Sequence, residues 1–134
     1  MSAPAVIRYL LAHDTPLLAQ VPAARIIVGT FKAGATLPAI SIQLVSGVER
    51  LTTAMTERRM RTQRVQVTVH AKLPATRLTI LELVRTACPN TNGTLNGIHV
   101  DSILPDGEGP SLDDPDAEIY EGSRDYIVKW NPAS

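Results

Sequence analysis

Leu37-Pro-Ala-Ile-Ser-Ile-Gln-Leu-Val-Ser-Gly47 and Arg64-Val-Gln-Val-Thr-Val-His-Ala71 are the two stretches whose reading decides the fold. Both alternate apolar and polar residues with a period of two, the signature of a half-buried strand. Ile40, Ile42 and Leu44 share one face of the first, and Val65, Val67 and Val69 share one face of the second. The opposite faces carry Ser41, Gln43, Gln66, Thr68 and His70. One polar face belongs to an antiparallel sheet, because parallel strands are covered on both sides and read as continuous apolar runs. The two runs are therefore expected as antiparallel neighbours joined by a long, charged connection.

Working outward, the remaining pattern predicts an α+β chain. From Ala3 to Leu18, Val6, Tyr9, Leu10, His13, Leu17 and Leu18 fall close to helical spacing. Asp14 and Thr15 ahead of Pro16 read as a cap, so the helix should break near His13 and restart briefly before Pro22. Arg25 to Val28 reads as a short strand, followed by a loop through Gly29 and Gly34. Ala75 to Cys88 gives the clearest helix, with Ile80, Leu81, Val84, Ala87 and Cys88 on one stripe, and Arg77, Thr79, Glu82 and Thr86 facing away. Gly97 to Leu104 is expected as a fourth strand with Ile98, Val100, Ser102 and Leu104 opposite His99, Asp101 and Ile103. The last, Ile119 to Trp130, places Tyr126, Val128 and Trp130 on one face, with Gly122 and Ser123 marking a bulge. The expectation is a mostly antiparallel sheet of about five strands with two main helices packed on one face, in the order α-β-β-β-α-β-β.

Two segments fall outside that pattern. Residues 47–63 form a long arm in which Val48, Leu51, Met55 and Met60 are scattered among charged and threonine residues. Connections this long without structure of their own tend to be functional or disordered, so the arm reads either as a long hairpin or as a segment that orders against a partner. Residues 105–116 read as an acidic loop rich in Pro, Gly and Asp.

Bulk properties narrow the classes. A chain of 134 residues is expected as a single domain, 1–134. Thirteen basic and thirteen acidic side chains leave no net field to draw it onto nucleic acid or an anionic membrane. Cys88 stands alone, so no intrachain disulfide can form. The sequence shows neither a signal-peptide pattern nor eighteen consecutive apolar residues, so no membrane partner is expected.

No catalytic motif can be assembled. His13, His70 and His99 lack ligand spacing, and one cysteine makes no structural zinc site, so neither metal nor cofactor is expected and the histidines read as surface or rim residues. The glycine pairs at 93–97 and 107–109 read as turns, because neither has the lysine or following helix of a phosphate loop. Ser46-Gly47 lacks the surroundings of a nucleophile elbow. The acidic run from Asp106 to Glu118 has carboxylates for calcium without the register of a calcium loop. What remains is a cluster of Arg58, Arg59, Arg61 and Arg64 about Met60 on the arm, facing the choice between phosphate backbone and a protein interface. Zero net charge and the lack of interleaved aromatics favour an interface, with Asp113, Asp114 and Asp116 of the acidic loop as candidate partners on a neighbouring subunit.

Four segments carry a family resemblance. Arg25-Ile-Ile-Val-Gly, Leu37-Pro-Ala-Ile-Ser-Ile, Arg64-Val-Gln-Val-Thr-Val-His-Ala and Ser123-Arg-Asp-Tyr-Ile-Val-Lys-Trp resemble the successive strands of the tailed-phage tail terminator, or tail completion, proteins. The resemblance runs from the N-terminal helix to Trp130, while the acidic loop and the arm depart from it. It implies a non-enzymatic virion protein, made in the host bacterial cytoplasm, that forms a hexameric ring on the tail tube. Such a ring ends tube growth and offers a surface to the head. The implied partners are further copies of the chain, the tail tube protein and the head-tail connector protein. Rival readings are a connector or stopper protein of the neck, a nucleic-acid-binding accessory domain, and, weakest, a small hydrolase.

Overall fold

The computed structural model describes residues 3–32, 34–51, 59–95, 97–109 and 111–132. Helix α1 (Ala3–Ala12) buries Ala3, Val6, Ile7 and Leu11. The buried stripe thus runs through Ile7 and Leu11, while Tyr9 and His13 stack on each other outside the core at 4.1 Å. The break expected near His13 is present. Asp14 caps α2 (Thr15–Leu18), its Oδ2 accepting from the Leu17 N–H at 3.1 Å, and the short turn buries Leu17.

The sheet has seven strands where about five were expected: β1 (Ile26–Val28), β2 (Ala39–Leu51), β3 (Arg59–Ala71), β4 (Gly93–Leu95), β5 (Ile98–Glu108), β6 (Leu112–Asp114) and β7 (Ile119–Pro132). Their spatial order is β1-β2-β3-β7-β5-β4, with β6 also pairing β7. Only β1 on β2 is parallel. Helix α3 (Pro74–Ala87) lies with α1 against the face formed by Val65, Val67, Val69, Tyr126, Val128 and Trp130, in one continuous core.

Several expectations are corrected. Of the two readings of the arm, the described residues follow the long hairpin: the β2–β3 pairing continues from Gly47↔Gln63 to Leu51↔Arg59, while residues 52–58 lie outside the described residues. The acidic segment is likewise largely strand. β5 runs on to Glu108, and β6 adds to β7 through Asp113↔Tyr120. Poor strand formers are held there by pairing with a distant strand rather than by local preference. The glycine-flanked turn at 93–97 holds β4, which pairs Thr94 with His99.

Alternation in β5 fails at a bulge. The register shifts between Val100 and Ser102, so Asp101 is the extra residue of a bulge. Beyond it Ile103, not Leu104, enters the core. At the expected bulge of Gly122 and Ser123 there is none: pairing with β3 runs unbroken through Val69↔Gly122 and Thr68↔Ser123. Gly122 serves close packing instead, because a Cβ there would meet the Leu81 and Arg77 side chains of α3.

Candidate functional site

Three surfaces on this frame could act on a partner. The first is the root of the β2–β3 hairpin. Gln63 points toward the helices, and its Oε1 accepts from the Trp130 indole N–H at 2.7 Å and from the Ala3 backbone N–H at 3.1 Å. Arg61 lies over the Trp130 ring at 4.9 Å, within cation–π range. Because these groups come from α1, β3 and β7, the hairpin leaves the sheet from a braced position.

On the opposite face of β3, Arg64 donates to Asp125 Oδ2 from Nε at 3.1 Å and from Nη2 at 2.8 Å. It also bonds the Asp106 carboxylate, and reaches the Asp106 carbonyl at 3.3 Å. The Asp125 hydrogen bond in particular raises the already high guanidinium pKa, against some desolvation, so Arg64 stays a fixed cation.

The second surface is the sheet edge. Beyond the short β1, which pairs only residues 40–42 of β2, the outer edge of β2 from Gln43 to Leu51 has no strand beside it among the described residues. Val28, Leu44 and Val45 beside this edge are each about half exposed. The other edge ends in the short β4, and beyond it part of β5 is occupied by side chains. The Asn90 Oδ1 accepts from the Ile103 N–H at 3.0 Å, and the Asn92 amide donates to the Asp101 carbonyl at 3.2 Å, so side chains occupy groups a new strand would need.

The third is a polar cavity of about 410 Å³ on the sheet face away from the helices. His70, expected at a rim, is instead 97% buried: Phe31, from the loop after β1, stacks on its ring at 4.0 Å, and Ser41 Oγ lies 2.9 Å from Nε2. Burial lowers the His70 pKa, an effect that Glu121 opposes. Ser41, His70 and Glu121 stand in the order of a hydroxyl, imidazole and carboxylate relay. However, Nδ1 makes no hydrogen bond although Glu121 Oε2 is 3.2 Å away. Ser41 sits in mid-strand between β1 and β3, where backbone N–H groups belong to the ladders rather than to an oxyanion.

The residues expected at an interface are dispersed. Arg58 lies outside the described residues, Arg59 and Met60 pair with Leu51 and Arg50 in the hairpin ladder, and Arg61 and Arg64 occupy opposite faces of β3 as above. Asp113 is bonded within the chain to Arg77, which was expected to face solvent and is instead buried, with Nη1 also 3.5 Å from the Glu121 carbonyl. Burial of an arginine is tolerable there because a carboxylate and a carbonyl meet it. Asp114 Oδ1 accepts from the Ala117 N–H at 3.2 Å, and Asp116 is an exposed turn residue. The open edge and the His70 cavity were missed. The half-exposed Leu44 and Val45, at a register shift between Leu44 and Ser46, carry no sequence signal distinct from core alternation, and Phe31 reaches His70 from a loop.

Among the described residues no three metal-binding side chains gather, and no helix is long and apolar enough to cross a membrane. No family model and no curated protein matches the chain. Among solved structures, a chain of the virion of a native gene transfer agent particle superposes with a TM-score of 0.71, covering 97% of this chain and 95% of that one at 11% sequence identity. This chain therefore shares, over nearly its whole length, the fold of a virion component.

Proposed function

We propose that this protein is a structural component of a phage-like virion, and that it forms a homo-oligomeric ring, a hexamer, on the end of the tail tube. There it terminates tube polymerisation and offers the surface that joins the head, with the tail tube and connector proteins as partners. The observation that supports this reading is the end-to-end fold match to a chain of a gene transfer agent virion, which extends over 97% of this chain and 95% of that one. The braced hairpin and the open edge of β2 suit a subunit that must contact a different patch on its neighbour, as a closed ring requires. In this reading Arg58, Arg59, Met60 and Arg61 contact the neighbour or the tube. Arg64 and Asp113 hold the contacting elements in place, and Asp114 and Asp116 remain exposed toward a partner. The role is non-catalytic.

The test is the tail length distribution, by negative-stain electron microscopy, of particles produced with this gene deleted. Irregular, overlong tails without heads are expected. Tails of normal length lying unattached beside filled heads would assign the protein to the neck as a connector, and unaltered particles would overturn a virion role.

A further inference from the structure

Glu121 stands apart from the carboxylates that hold an arginine. Asp106 and Asp125 share Arg64, Asp113 has Arg77, and Glu82 and Glu108 share Arg124 at 3.3 and 3.0 Å. Among the described residues Glu121 has only His70, a group that burial keeps neutral near pH 7. It is also the one carboxylate lining the cavity of about 410 Å³, where no lysine or arginine faces it.

The rest of the lining is uncharged: amide and hydroxyl side chains, Leu112 and an aromatic ring. Gln43 Nε2 donates to Thr30 Oγ1 at 3.4 Å, which turns its carbonyl oxygen free for another donor. Gln66, Thr68 and Ser123 add side-chain oxygens from β3 and β7, and Phe31 forms an apolar wall. His70 is 97% buried, and its Nδ1 is without a hydrogen bond. Glu121 Oε2 lies 3.2 Å from Nδ1, so the carboxylate favours the ring proton on Nδ1 and Nε2 accepts from the Ser41 hydroxyl at 2.9 Å. A carboxylate oriented by a neutral imidazole, with no cation of its own in the cavity, calls for a positively charged group with several N–H donors. A planar group with five such donors can meet the carboxylate and the amide and hydroxyl oxygens together while lying against an aromatic face.

We propose that this cavity is a binding site for a guanidinium group. The chemistry has two sources: an arginine side chain presented by an adjoining protein subunit, or a small free guanidinium compound. The site stands whether or not the protein forms a ring, and its test does not depend on tail assembly.

The probe is methylguanidinium, titrated into the full chain while the His70 ring resonances are followed by NMR, with methylammonium and trimethylamine N-oxide as comparisons. Saturable shifts of the His70 ring are expected for methylguanidinium, at least about tenfold tighter than for methylammonium, because one planar fork satisfies several acceptors at once. Glu121→Gln, an isostere on an exposed rim, should weaken binding at least about tenfold with the melting temperature kept. Gln66→Leu, which leaves the charge in place, should weaken it several-fold and serves if the first variant fails to fold. Loss of methylguanidinium binding in Glu121→Gln together with loss of self-association would identify an adjoining subunit's arginine as the source. Loss of binding with self-association intact would identify a small free compound. No saturable shift in the unmodified protein, or equal binding by Glu121→Gln and Gln66→Leu, overturns the proposal.

Discussion

Gly122 of β7 lies directly under Leu81 of α3: a Cβ on Gly122 would come within 2.8 Å of the Leu81 Cδ1 and 3.2 Å of the Arg77 Cδ. Helix and sheet are therefore as close there as a bare backbone allows, and that closeness brings the Arg77 guanidinium to Asp113 and to the Glu121 carbonyl. Gly122→Ala is expected to destabilise the protein by about 1–3 kcal/mol through overpacking, since Leu81 is core and Arg77 is tethered. Urea denaturation with an unchanged slope would measure it; a neutral effect would mean that α3 can lift off at no cost.

The Arg77–Asp113 pair joins a side chain that is 9% exposed to one that is half exposed, so the two residues should respond unequally. Asp113→Ala leaves a buried cation facing only a carbonyl, whereas Arg77→Met keeps the packing and frees an aspartate that can reach water. The first should cost more than the second, by about 1 kcal/mol or more after allowing for the exposure of Asp113. Chemical denaturation of both single variants and the double variant decides the order.

How far these contacts could be read in advance depends on how local their causes are. Val65, Val67 and Val69 alternate because a ladder with one wet face demands it, and Ile80, Leu81 and Val84 recur at helical spacing because α3 has one dry side. Asp14 was legible because a cap is satisfied three residues away. Arg77 was not, since its partner lies 36 residues on, in a strand made of Leu112, Asp113 and Asp114 that exists only because β7 pairs with it. His70 looked like any polar-face residue until Phe31 covered it. The arm left two readings open, hairpin or partner-ordered segment, because its hydrogen bonds are strand to strand and leave little mark on residue type.

Stability should fall with mild acid through His70. Its pKa is depressed in the folded protein by burial, so below the ordinary value of 6.5 the unfolded chain takes up a proton that the folded one refuses. The contribution is therefore complete above about pH 6.5 and is lost as the pH falls toward the folded pKa. A melting temperature that declines between about pH 6.5 and 5, with a shallower decline in His70→Gln, is the expected result. Parallel curves for the two proteins would show that His70 titrates freely.

Cys88 is buried at the end of α3, and burial, aided by Asp14, pushes its thiol up to about 12. The thiolate that reacts is thus scarce as well as covered. Labelling by a disulfide reagent should be slow in the native protein and should rise in step with unfolding as denaturant is added. Rapid labelling in buffer would mean that the α2–α3 contact opens locally.

Reversing Arg58 and Arg59 to Glu should weaken self-association while leaving the melting temperature unchanged, because the ladder at the hairpin root is held by Gln63, Trp130 and the backbone rather than by these charges. Sedimentation velocity and thermal melts on the same samples separate the two effects. Loss of folding would show that the arginines serve the subunit itself.

The extra residue at Asp101 acts on β5 as an inserted base acts on a reading frame: each side chain beyond it is displaced by one place, so Ile103 faces the core and Leu104 faces out. Deleting Asp101 alone would therefore remove the bulge while Val100, Ser102 and Ile103 keep the faces they now have. One exposed, acidic residue is thus the residue this strand could lose without turning a core side chain to water.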